Sequence, residues 1–87
     1  MKYILKLYIS GKTENSQKAV ENFQKLIRDL SARECEEEII DIVENPEAAV
    51  ENRILATPTL VKISPGKERR VVGDLSVRNQ VLFGLDL

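Results

Sequence analysis

At 87 residues, 43% of them hydrophobic and 31% charged, the chain has the material for one small soluble globular domain and too little for two. Thirteen basic and fourteen acidic side chains leave a net charge of −1, which gives no electrostatic footprint for nucleic acid or an anionic membrane, and a single cysteine, Cys35, excludes an internal disulfide. No apolar run approaches a bilayer span, and the opening Met1–Lys6 lacks the hydrophobic stretch of a secretory signal, so a reducing cytoplasm is the expected compartment.

Tyr3 to Ile9 reads as the first strand. Tyr3, Leu5, Leu7 and Ile9 share one face, and Ile4 and Tyr8 make the other face partly apolar, which suits a central strand covered on both sides. Ser10–Asn15 is a loop, and Asn15 or Ser16 can cap the first helix. In that helix Ala19, Val20, Phe23, Leu26, Ile27 and Leu30 recur at helical spacing, with Lys18, Glu21, Lys25, Arg28 and Asp29 on the opposite side. Ser31 to Glu38 reads as a polar, mostly acidic link, and the β-branched Ile39–Val43 as the second strand. Asn45, Pro46 and Glu47 supply a cap, a proline at the first helical position and an acid in the first turn, predicting a short helix to about Asn52.

The pattern then changes. Thr59–Ile63 and Arg69–Gly73 read as two strands on either side of Ser64-Pro65-Gly66-Lys67, where Pro-Gly predicts a type II turn and hence an antiparallel hairpin. Ser76 is placed to cap a last helix whose inner face carries Val77, Val81, Leu82 and Leu85. The order β-α-β-α-β-β-α, a parallel βαβ unit joined to a hairpin and a closing helix, is the thioredoxin plan, with helices on both faces of the sheet.

Chemistry is hard to place on that plan. Its enzymes carry a Cys-x-x-Cys pair at the start of the first helix, where the helix N-terminus stabilises a thiolate. The stretch Gly11–Ser16 holds no cysteine there, and Cys35 falls between the first helix and the second strand. The chain has no histidine, so the commonest general base and metal ligand is absent. Glu34, Glu36, Glu37 and Glu38 match no calcium-loop spacing and read as a solvated acidic segment. Neither a catalytic residue nor a cofactor or metal ligand is expected. Thr57-Pro58 occupies the position at which this plan keeps a cis-proline, a structural role. Lys67, Arg69 and Arg70 cluster on the hairpin, either as charge protection of an edge strand or as a contact patch for an acidic partner.

Four blocks carry a resemblance: Tyr3-Ile4-Leu5-Lys6-Leu7-Tyr8-Ile9-Ser10-Gly11, Ile54-Leu55-Ala56-Thr57-Pro58-Thr59-Leu60, Arg69-Arg70-Val71-Val72-Gly73-Asp74-Leu75-Ser76 and Val81-Leu82-Phe83-Gly84-Leu85-Asp86-Leu87. In register from end to end, they resemble the KaiB family of circadian clock proteins, a family related to the N-terminal sensor domain of the SasA kinase. The resemblance implies that residues 1–87 form one domain of thioredoxin-like fold that works without catalysis. It implies binding to the N-terminal ATPase ring of KaiC, from which the protein recruits and sequesters KaiA or displaces SasA. It also implies where: Lys6, Arg53 and the second helix, with Glu47, Val50 and Asn52, towards the ring, and Lys18 and Arg70 towards KaiA-type partners, with Arg69 a partner-binding residue of the hairpin's basic cluster. Glu38 stands where relatives often carry lysine, a departure in charge on the ring side.

The family is metamorphic, with one thioredoxin-like form that binds KaiC and one that rearranges the second half of the chain and forms tetramers. Gly84 and Asp86 are the residues expected to matter for that balance, since both weaken a last helix, one by propensity and one by opposing the helix dipole. The tight Ser64–Lys67 turn, where relatives often have a proline-rich stretch, and the chain's stop at Leu87 without a longer acidic tail both favour a monomeric thioredoxin-like state. Two other functions stay open on the residues: a thioredoxin-type thiol enzyme using Cys35, and a KaiB-like signalling or stress adaptor working without an oscillator.

Overall fold

The computed structural model describes residues 2–30 and 34–87. Seven elements run in the expected order: β1 (Tyr3–Ile9), α1 (Glu14–Asp29), β2 (Cys35–Asp41), α2 (Pro46–Glu51), β3 (Thr59–Ser64), β4 (Arg69–Val72) and α3 (Arg78–Gly84). The four strands form one sheet in the order β2-β1-β3-β4. β1 runs parallel to β2, with Tyr3 opposite Cys35 and Ile9 opposite Asp41. It runs antiparallel to β3, with Leu7 opposite Leu60, and β3 pairs antiparallel with β4, Thr59 opposite Val72. This is the thioredoxin-like α/β architecture.

Strand alternation divides the core in two. Leu5, Leu7 and Leu60 face one way and are sealed by Ala19, Phe23, Leu26 and Leu30 of α1 and its end, and by Leu75, Val81 and Leu85 around α3. Tyr8 and Val61 face the other way, where Ile54 and the half-buried Ile40, Ala48 and Ala49 cover them. The doubly apolar character of β1 is thereby explained at its Tyr8 end, where both faces are roofed.

Several boundaries depart from the sequence expectation. Neither Asn15 nor Ser16 caps α1. Thr13 does, its hydroxyl accepting the Ser16 N–H at 3.3 Å, while the buried Ser16 hydroxyl accepts the Ser10 N–H at 3.0 Å. Two hydroxyls, those of Thr13 and Ser16, thus fix the junction between the first strand and the first helix.

β2 starts four residues earlier than its β-branched run, because backbone pairing with β1 needs no apolar side chain at a sheet edge. Glu36, Glu37 and Glu38 stay exposed, and Lys2 and Lys6 of β1 and its start pair with Glu36 and Glu38 at 3.6 and 3.8 Å. Residues 31–33 of the expected link lie outside the described residues. β2 also stops sooner, at Asp41, whose carboxylate accepts the N–H groups of Gly11 and Val43 at 3.0 and 2.9 Å and turns the chain towards α2.

The hairpin forms as expected, and Gly66 takes the positive φ of +80°, but the Ser64–Pro65 peptide is cis, a departure from the ordinary trans Pro-Gly turn. Lys62 of β3 points into the α1/α3 side and is only 3% exposed, its ammonium donating to the Pro65 carbonyl at 3.0 Å. Ser76 does not cap α3 with its side chain. Val77 holds the cap position, and the Ser76 N–H donates to the Asp74 carboxylate at 3.0 Å. Asp86 lies beyond α3, not in its last turn: the helix ends at Gly84, and Asp86 adopts φ +57°. Its N–H donates to the Phe83 carbonyl at 3.2 Å and the Leu87 N–H to the Leu82 carbonyl at 2.9 Å, the two bonds of a Schellman motif with aspartate in the left-handed position.

Gly84 has a steric role besides its low propensity. A Cβ there would come within 2.7 Å of the Val71 Cγ2 on β4, so the glycine is what lets α3 lie this close to the hairpin. Among the described residues no helix is long and apolar enough to cross a membrane.

Candidate protein-binding face

α2 is six residues long, too short to be stable alone, and it is held by what it touches. Pro46 fixes its first position and Glu47 complements its N-terminal dipole. Ala48 and Ala49 turn towards Tyr8, Ile54 and Val61, which leaves Glu47 and Val50 outward. None of its residues is fully buried, and Val50 is 79% exposed.

The end of α2 is built like the end of α3. The Arg53 N–H donates to the Val50 carbonyl at 3.3 Å and the Ile54 N–H to the Ala49 carbonyl at 2.8 Å, again a Schellman pair. Arg53 occupies the left-handed position at φ +53°, where glycine is the usual residue. Asn52 adds its side-chain amide to the Ala48 carbonyl at 2.8 Å. The next apolar pair splits: Ile54 turns into the core, and Leu55 stands 98% exposed.

β4 supplies the other side of this face. Arg70 and Val72 share the α2 side of the sheet, since Arg70 lies opposite Val61 in register. The Arg70 guanidinium donates to the Asn52 carbonyl at 2.7 Å and the Arg53 carbonyl at 3.0 Å, and pairs with Glu68 at 3.1 Å. Farther along, α2 no longer roofs the sheet, and Ile4, Lys6, Glu36, Glu38 and Ile63 line an open concavity of about 530 Å³. Burial pushes the Tyr8 phenol above its usual pKa, and the Glu38 carboxylate pushes it further, so it remains a neutral packing group.

The expected partner-binding residues therefore divide. Lys6, Glu47, Val50, Asn52, Arg53 and Arg70 lie on one side of the sheet. Lys18 is on α1, across the sheet, paired with Glu14 at 3.3 Å. Arg69 also faces away, lining a second concavity with Leu82 and the 90%-exposed Phe83 of α3. Leu55 and Val72 are not singled out by the sequence. The adjacent pair Ile54-Leu55 just after a helix is the available signal, because one of two neighbours must turn away from the core. The Thr57–Pro58 peptide is cis and Pro58 is buried behind this face.

The start of α1 presents Thr13 and Glu14, and Cys35 sits opposite Tyr3 at the other end of β1, six residues or roughly 20 Å away. Among the described residues no three His, Cys, Asp or Glu side chains are grouped to hold a metal ion. What the α2 face offers is exposed apolar surface rimmed by charge, the composition of a docking surface.

Similarity to known proteins agrees with the fold and adds a family. In solved structures the chain superimposes on the N-terminal domain of Synechococcus elongatus SasA with a TM-score of 0.75 at 24% identity, covering 99% of this chain and 85% of that domain. It superimposes on mitochondrial thioredoxin 3 of Saccharomyces cerevisiae with a TM-score of 0.79 at 20% identity, covering 98% and 78%. In sequence it is 47% identical over 85 residues to the circadian clock oscillator protein KaiB of Prochlorococcus marinus strain MIT 9303, covering 98% of this chain and 71% of that one. The KaiB of Parasynechococcus marenigrum strain WH8102 is also 47% identical, with 98% and 82% covered. The KaiB domain model matches residues 6–87, and the chain belongs to the KaiB family, whose named relatives are circadian clock oscillator proteins.

Proposed function

We propose that this protein is a non-catalytic clock regulator that seats its α2 face on the N-terminal ATPase ring of a KaiC-type protein in the cytoplasm. So seated, it recruits and sequesters a KaiA-type protein or displaces a SasA-type kinase. The observation that carries the reading is the exposed Val50–Leu55 segment: a chain of the KaiB family keeps two large apolar side chains, 79% and 98% exposed, at the end of a short helix beside Arg53. Exposed hydrophobes rimmed by charge are what a protein partner can desolvate. The binding state is the thioredoxin-like monomer, and the tetramer belongs to the alternative packing. Lys18 and Arg69, on the opposite side, are left for a second partner once the ring holds the first.

The test is titration of the isotopically labelled protein with a KaiC-type N-terminal ring, with size exclusion of the mixture. Loss of amide signals concentrated in residues 46–55, with co-elution, is the expected result. No complex at high micromolar ring would remove the ring reading and leave either the adaptor without an oscillator or the thiol enzyme. A thiol-disulfide exchange assay on Cys35 separates those two.

A further inference from the structure

The family resemblance assigns Arg70 to a partner. At the surface of the free molecule its guanidinium already has intramolecular partners: it binds two successive backbone carbonyls, those of Asn52 and Arg53, at the end of α2. Carbonyls at a helix terminus are left without an intrahelical donor. The Asn52 carbonyl, at the C-cap, lies at the negative end of the α2 dipole, the Arg53 carbonyl is one residue beyond it, and a guanidinium is the side chain whose fork fits two acceptors at once.

The same turn needs such help. Its left-handed position holds Arg53, a residue with a Cβ, where a glycine would sit without steric cost. α3 ends in the same hydrogen-bond pattern around Asp86. Aspartate tolerates the left-handed region better than arginine does, and α3 itself contains the buried Val81. α2 has no buried residue of its own.

We infer that Arg70 is a positioning residue that clamps the C-terminal turn of α2 to β4, so that the Val50–Leu55 surface holds its shape only while the hairpin is in place. The binding consequence rests on the ring-docking reading; the clamp itself does not. A contact from strand β4 across 17 residues of chain thus governs the surface that α2 presents.

The experiment is amide hydrogen exchange on the free, full chain, with ring titration as a second arm. In Arg70→Ala, the amides of Asn52, Arg53 and Ile54 should exchange roughly tenfold faster than in the parent, with those of Leu5 and Leu7 unchanged. Arg70→Lys, which keeps the charge but not the fork, should show most of the same increase. Arg53→Gly in the Arg70→Ala background should restore slow exchange, because the turn then no longer needs an outside donor. Unchanged exchange at these three amides in Arg70→Ala overturns the clamp, as does full recovery by lysine.

In the second arm, Arg70→Ala should weaken ring binding by about the same factor. Ring affinity equal to the parent's, with the turn loosened, overturns the link from clamp to surface. A parent protein that does not bind the ring refutes the docking reading alone, and the exchange arm still decides the clamp.

Discussion

The two faces of the sheet are held differently. On one, α1 and α3 press a continuous layer onto Leu5, Leu7 and Leu60, with Phe23 and Leu85 almost fully buried. On the other, a six-residue helix rests two alanines against Tyr8, Ile54 and Val61, and its end is tied down by a hydrogen-bonded turn and one arginine. The lesson is a division of labour within a small domain. One face supplies the burial that folds the chain, and the other can therefore leave apolar side chains in water without unfolding it.

The comparison is sharpened most by truncating each face in turn. Phe23→Ala should cost about 3–5 kcal/mol by denaturant melting, a large share of the stability of a domain this size. Leu55→Ser, on the other face, should leave the melt within about 0.5 kcal/mol while lowering ring affinity roughly tenfold or more in a titration. A clear loss of stability in Leu55→Ser would break the contrast.

A smaller effect is expected where α3 crosses β4. Gly84→Ala gains about 1 kcal/mol of helix propensity but must displace the Val71 methyl. A double-mutant cycle with Val71→Ala should therefore show a coupling of about 1 kcal/mol, alanine at 84 being better tolerated when Val71 is trimmed. Additive effects would mean that α3 shifts freely on the hairpin.

The smallest effect concerns acid. Bonds from the Ser76 hydroxyl, and then from its N–H, hold the Asp74 carboxyl below the usual aspartate pKa. A depressed folded value contributes stability above the unfolded pKa of about 4 and loses it as pH falls through the folded value. Asp74→Asn should flatten the acid limb of a pH–stability curve below about pH 4, melting slightly lower than the parent at pH 7 and converging with it at low pH.

How much of this is legible in the sequence depends on the kind of interaction. Periodicity reveals α1 and β1, because burial of Ala19, Phe23 and Leu26 leaves a 3.6-residue mark and burial on both sides of β1 leaves a continuous one. The first half of β2 is hidden because an edge strand is made by backbone bonds, and Glu36–Glu38 look the same in a loop as on a strand. The Lys62 burial is also hidden, since a lysine amid Thr59–Ile63 reads as the solvent side of the strand. At the candidate site, the family resemblance points to α2, Lys6 and Arg53. The clamp does not show, because the acceptors of Arg70 are carbonyls, which every residue carries and no sequence pattern marks.

The order β2-β1-β3-β4 also sorts charge. One edge of the sheet carries Glu36, Glu37 and Glu38, and the other carries Arg69 and Arg70 with Lys67 in the adjoining turn. Three inter-strand steps put the edges about 14 Å apart, beyond the roughly 8 Å over which physiological salt screens a charge. A net charge of −1 thus conceals a molecule with an acidic flank and a basic one. Charged side chains on both edge strands hinder another chain from extending the sheet there, while Lys2, Lys6 and Glu68 offset part of each flank.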